Sequence, residues 1–188
     1  MPPITSTNGF ILAGGQSRRM GQDKATLNWG DKSLLDHMVQ LLSTVTAPVR
    51  VVGRGRFLDR IPGKGPLGGI LTALQSTDRD SNLLLAVDLP LLTPDFLQVF
   101  HSRFLASGKP LLACRIGGEF PLCLGIRKDL AAEVEQRVMS DKLSIRGFVE
   151  EAQGEVLEEA ELHRRGFDPA MFANMNTPQD WEKLTKRP

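Results

Sequence analysis

The chain has 188 residues, 41% of them hydrophobic and 24% charged, which suits one domain with a sizeable core rather than a disordered or fibrous chain. Lys and Arg total 23 against 22 Asp and Glu, and a net charge of +1 gives no basis for bulk electrostatic binding of nucleic acid. Two cysteines, Cys114 and Cys123, with no second pair, suggest neither a zinc ribbon nor a disulfide framework, and read as reduced thiols in strands.

The N-terminus, MPPITSTNG, lacks a basic region followed by an apolar run. No stretch reaches the roughly 18 apolar residues of a membrane span. The expectation is a soluble, cytoplasmic protein without a membrane partner, folded as one domain over 1–188 with loose ends at about 1–7 and 185–188. In chain order, Phe10 to Ala13 reads as a short strand ending at glycine. Ser33 to Val45 carries apolar residues at a helical period, with Ser33 as cap and Asp36 as a weak capping-box partner. Pro48 to Val52 is a second strand, closed by Gly53. Gly63 to Gly69 reads as a glycine- and proline-rich loop, with a helix starting near Ile70. "NLLLAV" (Asn82 to Val87) is a buried strand that ends at Asp88. Thr93 and Pro94 signal a helix start, running to about Ala106. Pro110 to Arg115 and Phe120 to Ile126 are further strands, and the stretch from Gly117 to Ile126 reads as a hairpin or an antiparallel edge. Asp129 to Val138, Ile145 to Glu151 and Pro178 to Leu184 read as helices, the last capped by Thr177. Strands alternating with helices predict an α/β domain, three-layer and Rossmann-like, with a mostly parallel sheet.

In such sheets ligands bind beyond the carboxyl ends of the strands, so the loop after the first strand is the first candidate. There the apolar run stops in "LAGGQSRRMGQDK" (Leu12 to Lys24). The dinucleotide fingerprint G-x-G-x-x-G is absent because Gly14 and Gly15 are adjacent, and the P-loop spacing is absent as well. Adjacent glycines still let backbone N–H groups approach a ligand closely. Arg18, Arg19 and Lys24 add donors and charge suited to a polyphosphate.

This stretch resembles the signature L-A-G-G-x-S-x-R-M-G-x-D-K of the nucleotidyltransferases that make molybdenum cofactor dinucleotides, in its guanylyltransferase form. Four later blocks continue the resemblance: "DRIPGKGPLGGI" (Asp59 to Ile70), "AVDLPLL" (Ala86 to Leu92), "EFPLCLGI" (Glu119 to Ile126) and "FANMNTPQDW" (Phe172 to Trp181). The resemblance implies a fold of the nucleotide-diphospho-sugar transferase type. It implies that Leu12, Ala13 and Gly14 hold guanine through main-chain groups, a strand end offering unpaired N–H and C=O. It implies that Gly15, Arg19 and Lys24 face the phosphates, with Lys24 and Arg19 neutralising charge during transfer, and Asp23 orienting Lys24 or the loop. Asp59 matches an aspartate that recognises the nucleotide, and a carboxylate suits the adjacent donors at guanine N1 and N2. Asp88, at the end of a buried strand, matches the magnesium ligand. Pro121 and Leu122 match the block near the pterin. Asn174 and Asn176 suit either a second metal or acceptor contact or turn chemistry before the last helix. His37, His101 and His163 fit no block and read as structural or exposed. Two positions depart from the pattern: Gly53 stands where relatives often have asparagine, and Val87 where they often have cysteine.

The implied reaction is transfer of GMP from GTP to the phosphate of molybdenum-molybdopterin, with Mg²⁺ as cofactor and pyrophosphate as leaving group. Contact with cofactor-insertion proteins is a further expectation. Alternatives are a cytidylyltransferase for the same pterin and a guanylyltransferase for another phosphorylated acceptor. A non-catalytic nucleotide-binding protein is a rival of another class.

Overall fold

The computed structural model describes residues 6–14, 23–55, 57–175 and 177–185. In chain order its strands are β1 (Thr7–Leu12), β2 (Asn28–Trp29), β3 (Lys32–Ser33), β4 (Val49–Val52), β5 (Ser81–Ala86), β6 (Leu111–Arg115), β7 (Cys123–Arg127) and β8 (Glu155–Glu158). Its helices are α1 (Leu34–Ser43), α2 (Gly65–Ser76), α3 (Pro94–Ser107), α4 (Ala131–Met139), α5 (Ile145–Glu151), α6 (Glu159–Arg164) and α7 (Pro178–Thr185).

β1 and β5 are buried along their whole length, as strands covered on both faces must be. They lie parallel, with Thr7 opposite Ser81 and Leu12 opposite Ala86. β4 flanks β1 in parallel and β8 flanks β6 in parallel. β7 runs antiparallel to both its neighbours, β5 and β6, giving the six-stranded order β4-β1-β5-β7-β6-β8. β2 and β3 form a separate small hairpin that leads into α1.

Side-chain alternation along the strands divides the interior into two layers. Ile11, Leu83, Leu85 and Leu112 meet Met38 and Leu42 of α1 and Phe96, Phe100 and Phe104 of α3. Phe10, Leu84, Leu111 and Leu124 meet Ile70 and Leu74 of α2, Val134 and Val138 of α4 and Phe148 of α5. Helix, sheet and helix make the expected three layers.

Helix ends follow their local chemistry. Ser33 Oγ accepts from the Asp36 N–H and donates to its carboxylate, which starts α1. Thr93 caps α3 with Pro94 in the first turn, and Gly108 closes it with a φ of 63°. Thr177 and Asp180 exchange side-chain-to-backbone bonds that start α7.

The structure corrects several expectations. α2 begins at Gly65, not near Ile70: Pro66 fits a first helical turn, and Gly68 and Gly69 are buried inside the helix. β7 is not an edge but an interior strand, reached from β6 through a turn in which Ile116 bridges Glu119 and Gly117 and Gly118 take positive φ. Thr7 is not loose. It opens β1, fully buried, with its Oγ1 2.8 Å from His101 Nε2. β8 and α6 went unanticipated because Glu155 to Arg164 carries few apolar residues. Cys114 and Cys123 are free and buried, and burial pushes both thiols well above their ordinary pKa, so they stay protonated and unreactive. Among the described residues, no helix is long and apolar enough to cross a membrane.

Candidate active site

At the carboxyl ends of β1, β4 and β5 lies a cleft of about 780 Å³. Its walls include Leu12, Ala13 and Gly14 after β1, Asp23 and Lys24, Asp59, Gly65 and Gly69 around the start of α2, Asp88 after β5, and Leu122 before β7. The parallel strands all end at this side, so residues far apart in sequence converge there.

Lys24 Nζ lies 3.2 Å from Asp88 Oδ2, with side-chain exposures of 15% and 21%. That shielding from water makes the pair stronger than one on an open surface. Each partner is held from behind. Lys24 begins a 3-10 turn, Lys24–Thr26, capped by Asp23, whose carboxylate accepts from the Ala25 N–H at 3.1 Å. The Asp88 carbonyl accepts from the Met175 N–H at 3.1 Å, which brings the late asparagine-rich block against the end of β5. Asn174 is exposed there, and Asn176 lies outside the described residues.

Asp59 is set differently. Its Oδ1 is buried and has no hydrogen-bond partner among the described residues, and desolvation pushes its carboxyl above the ordinary value. It sits against two glycines: a Cβ at Gly14 would stand 3.0 Å from Asp59 Oδ2, and one at Gly69 would stand 3.9 Å from Oδ1. An acceptor oxygen walled in this way suits a ligand that brings its own N–H donors.

The end of β1 is less open than the sequence suggests. The Ala13 N–H donates to Val52 O at 2.9 Å, Leu12 O accepts from the Val87 N–H at 3.1 Å, and Ala13 O accepts from Arg54 Nε at 3.1 Å. The strand end therefore does not present unpaired groups on Leu12 and Ala13; what it retains for a ligand is the second lone pair of each carbonyl. Gly53, with a φ of 87°, packs so tightly on Gly14 that a Cβ there would fall 2.3 Å from Gly14 Cα.

The structure thus brings together Leu12, Ala13, Gly14, Lys24, Asp59 and Asp88 in one cleft. Gly15, Arg18 and Arg19 lie outside the described residues. Leu122 lines the cleft and Pro121 is buried behind it. No histidine lines it: His37 Nε2 lies 2.9 Å from Pro90 O, His101 meets Thr7, and His163 is exposed on α6. The sequence reading passed over Arg54, which also pairs with the Asp23 carboxylate. That hydrogen bond, helped by the Ala25 N–H, holds the Asp23 carboxyl below its ordinary range against an opposing effect of burial.

The family model described as "MobA-like NTP transferase domain" matches residues 9–156. The probable molybdenum cofactor guanylyltransferase of Carboxydothermus hydrogenoformans is 32% identical, over 94% of this chain and 93% of that protein. The molybdenum cofactor guanylyltransferase of Xanthomonas euvesicatoria is 31% identical, over 94% and 93%. Among solved structures, the molybdopterin-guanine dinucleotide biosynthesis protein A of Archaeoglobus fulgidus matches the fold with a TM-score of 0.78, at 22% identity, covering 95% of this chain and 97% of that one.

Proposed function

This chain belongs to the MobA-like NTP transferase family, and we propose that it transfers GMP from GTP to the phosphate of molybdenum-molybdopterin, releasing pyrophosphate and forming the guanine dinucleotide cofactor. The coarser role, nucleotidyl transfer in the synthesis of a molybdenum cofactor dinucleotide, is the one carried in the names of its relatives. The observation that carries the finer reading is the Lys24–Asp88 pair in the same cleft as Asp59, a carboxylate with an oxygen unpartnered among the described residues.

The donor set fits one Mg²⁺. Asp88 offers a hard carboxylate oxygen, and magnesium needs only one or two such ligands beside phosphates and waters. Among the described residues no three His, Cys, Asp or Glu are grouped to hold a metal by themselves, so such an ion would depend on the substrate's phosphates. When bound, it would neutralise charge on the phosphate being transferred.

The acceptor is a phosphate monoester, ionised near neutral pH, so it needs no general base. One of its oxygens bonds to the α-phosphorus of GTP as the bond to the β-phosphate oxygen breaks. The electron pair leaves with pyrophosphate. Lys24 supplies a fixed positive charge beside the groups that become more negative. Arg19 and Gly15, by their place in the signature, add phosphate contacts. Asp59 accepts from guanine N1 and N2, and Gly14 and Gly69 keep that corner free of side chains. Leu122, next to the buried Pro121, borders the acceptor side. Handover of the product to cofactor-insertion proteins completes the proposed role.

The test is a conversion assay with the metal-loaded pterin, Mg²⁺ and equimolar GTP and CTP, read by dinucleotide product and pyrophosphate. Guanine dinucleotide as the main product supports the proposal. Preference for CTP, or pyrophosphate release only with a different phosphorylated acceptor, overturns it in favour of the respective relative. Nucleotide binding without any transfer would mark a non-catalytic binder.

A further inference from the structure

Arg54 is the first residue past Gly53, whose positive φ turns the chain sharply where the exits of β1 and β4 touch. The turn directs the Arg54 side chain over the end of β1. Its Nε donates to Ala13 O at 3.1 Å, and its terminal nitrogen pairs with Asp23 Oδ1. One planar fork thus joins two acceptors, a carbonyl on β1's exit and a carboxylate just before Lys24. The same Asp23 oxygen accepts from the Ala25 N–H at 3.1 Å, and the Asp23 carbonyl accepts from both Thr26 N and Thr26 Oγ1. Ala25 is 2% exposed, packed into the core beside α1.

We propose that Arg54 is a positioning residue: by tying Asp23 to the Ala13 carbonyl, it fixes the place from which Lys24 enters the cleft. The inference rests on Lys24 serving the nucleotidyl transfer proposed above. Lys24 is then anchored on one side by a capping, arginine-bound aspartate and on the other by a buried alanine. From that anchored backbone its side chain reaches Asp88. Displacing a catalytic charge by about 1 Å can cost on the order of a hundredfold in rate. Charge alone does not meet the requirement, because an ammonium in place of the guanidinium cannot span both acceptors in a fixed geometry.

The experiment uses the full chain with Arg54→Ala, Arg54→Lys, Asp23→Asn and the double variant Arg54→Ala/Asp23→Asn. The expected result is a fall in kcat of about ten- to a hundredfold in each single variant, with KM for GTP changed by less than about threefold. Arg54→Lys is as impaired as Arg54→Ala, and the double variant is no worse than the poorer single one, since both act along one path. A second readout needs no turnover: ¹³C-methyl NMR of reductively methylated lysines, with the Lys24 signal assigned by its loss in Lys24→Arg. That signal moves in Arg54→Ala and Arg54→Lys, while melting temperatures stay within a few degrees of the parent. Full rescue by Arg54→Lys, losses that multiply in the double variant, or an unmoved Lys24 signal each overturns the inference. Should the parent protein fail to transfer GMP, the nucleotide reading falls, and the Lys24 signal still decides the role of Arg54.

Discussion

Lys24 and Asp59 carry opposite charges into the same cleft, in opposite circumstances. Lys24 has a carboxylate partner at 3.2 Å, whereas one Asp59 oxygen is buried without any among the described residues. Replacing Lys24 with alanine should lower kcat by about a hundred- to a thousandfold, the effect of removing one preorganised charge from a developing anion. Steady-state pyrophosphate release checks this, and a loss under tenfold would remove Lys24 from that role. In the proposed role, Asp59 trades stability for binding. Burial raises its carboxyl pKa in the folded state, so the folded protein holds that proton more tightly than the unfolded chain does. Its effect on stability therefore becomes unfavourable as pH rises above the ordinary value of 3.8. Asp59→Asn should leave the melting temperature at pH 7 unchanged or higher, while raising KM for GTP by about ten- to a hundredfold. The same variant should lose discrimination between GTP and ITP, which lacks the N2 amino donors. A thermal shift and two Michaelis curves test both halves, and an unaltered KM for GTP would deny Asp59 the base.

At the scale of elements, the interior placement of β7 makes one glycine indispensable. A Cβ at Gly125 would fall 2.5 Å from Phe104 Cγ, and Phe104 is wholly buried in α3. Gly125→Ala should destabilise by about 1–3 kcal/mol through overpacking, measurable by urea denaturation. Gly53→Asn should cost at least a similar amount, since a Cβ there would fall 2.3 Å from Gly14 Cα, a backbone atom that cannot step aside as a flexible side chain can. This arrangement lay hidden in the sequence. β1 and β5 could be read directly, because "FILA" and "NLLLAV" are unbroken apolar runs of the kind that strands buried on two faces require. The hairpin at Gly117 and Gly118 could be read too. That its second strand inserts between β5 and β6 is a matter of tertiary pairing, which local pattern does not encode. β8 carries only Val156 and Leu157 among acids, too little for a period to show. Arg54 escaped for a related reason: its partners lie 41 and 31 residues away, one of them a carbonyl. Lys24 and Asp88 did not escape, because both sit beyond strand ends where α/β sheets place their ligands.

For the molecule as a whole, the two ends of the sheet have separate tasks. The carboxyl ends hold the cleft. The amino ends are fastened by buried polar contacts, Thr7 to His101, Asn8 to Thr77, and Thr77 to Asn82. Burial pulls the His101 pKa below its ordinary 6.5, so the folded protein binds a proton at this ring less readily than the unfolded chain does. The unfolded state then binds more protons at acid pH, and stability should fall as pH drops below about 6.5. Equilibrium unfolding between pH 7.5 and 5 would show the slope, and His101→Gln should flatten it. The cleft end has its own consequence, which follows from the Lys24–Asp88 ion pair. A lone divalent cation approaching Asp88 must evict an ammonium, and a lone triphosphate approaching Lys24 must strip a carboxylate of its counter-ion. The chelate of the two meets both side chains with the opposite sign at once, a simultaneous change of partners in which no charge is orphaned. Under the proposed reaction, two oppositely charged residues in contact would thereby act as a coincidence detector for the metal-complexed nucleotide.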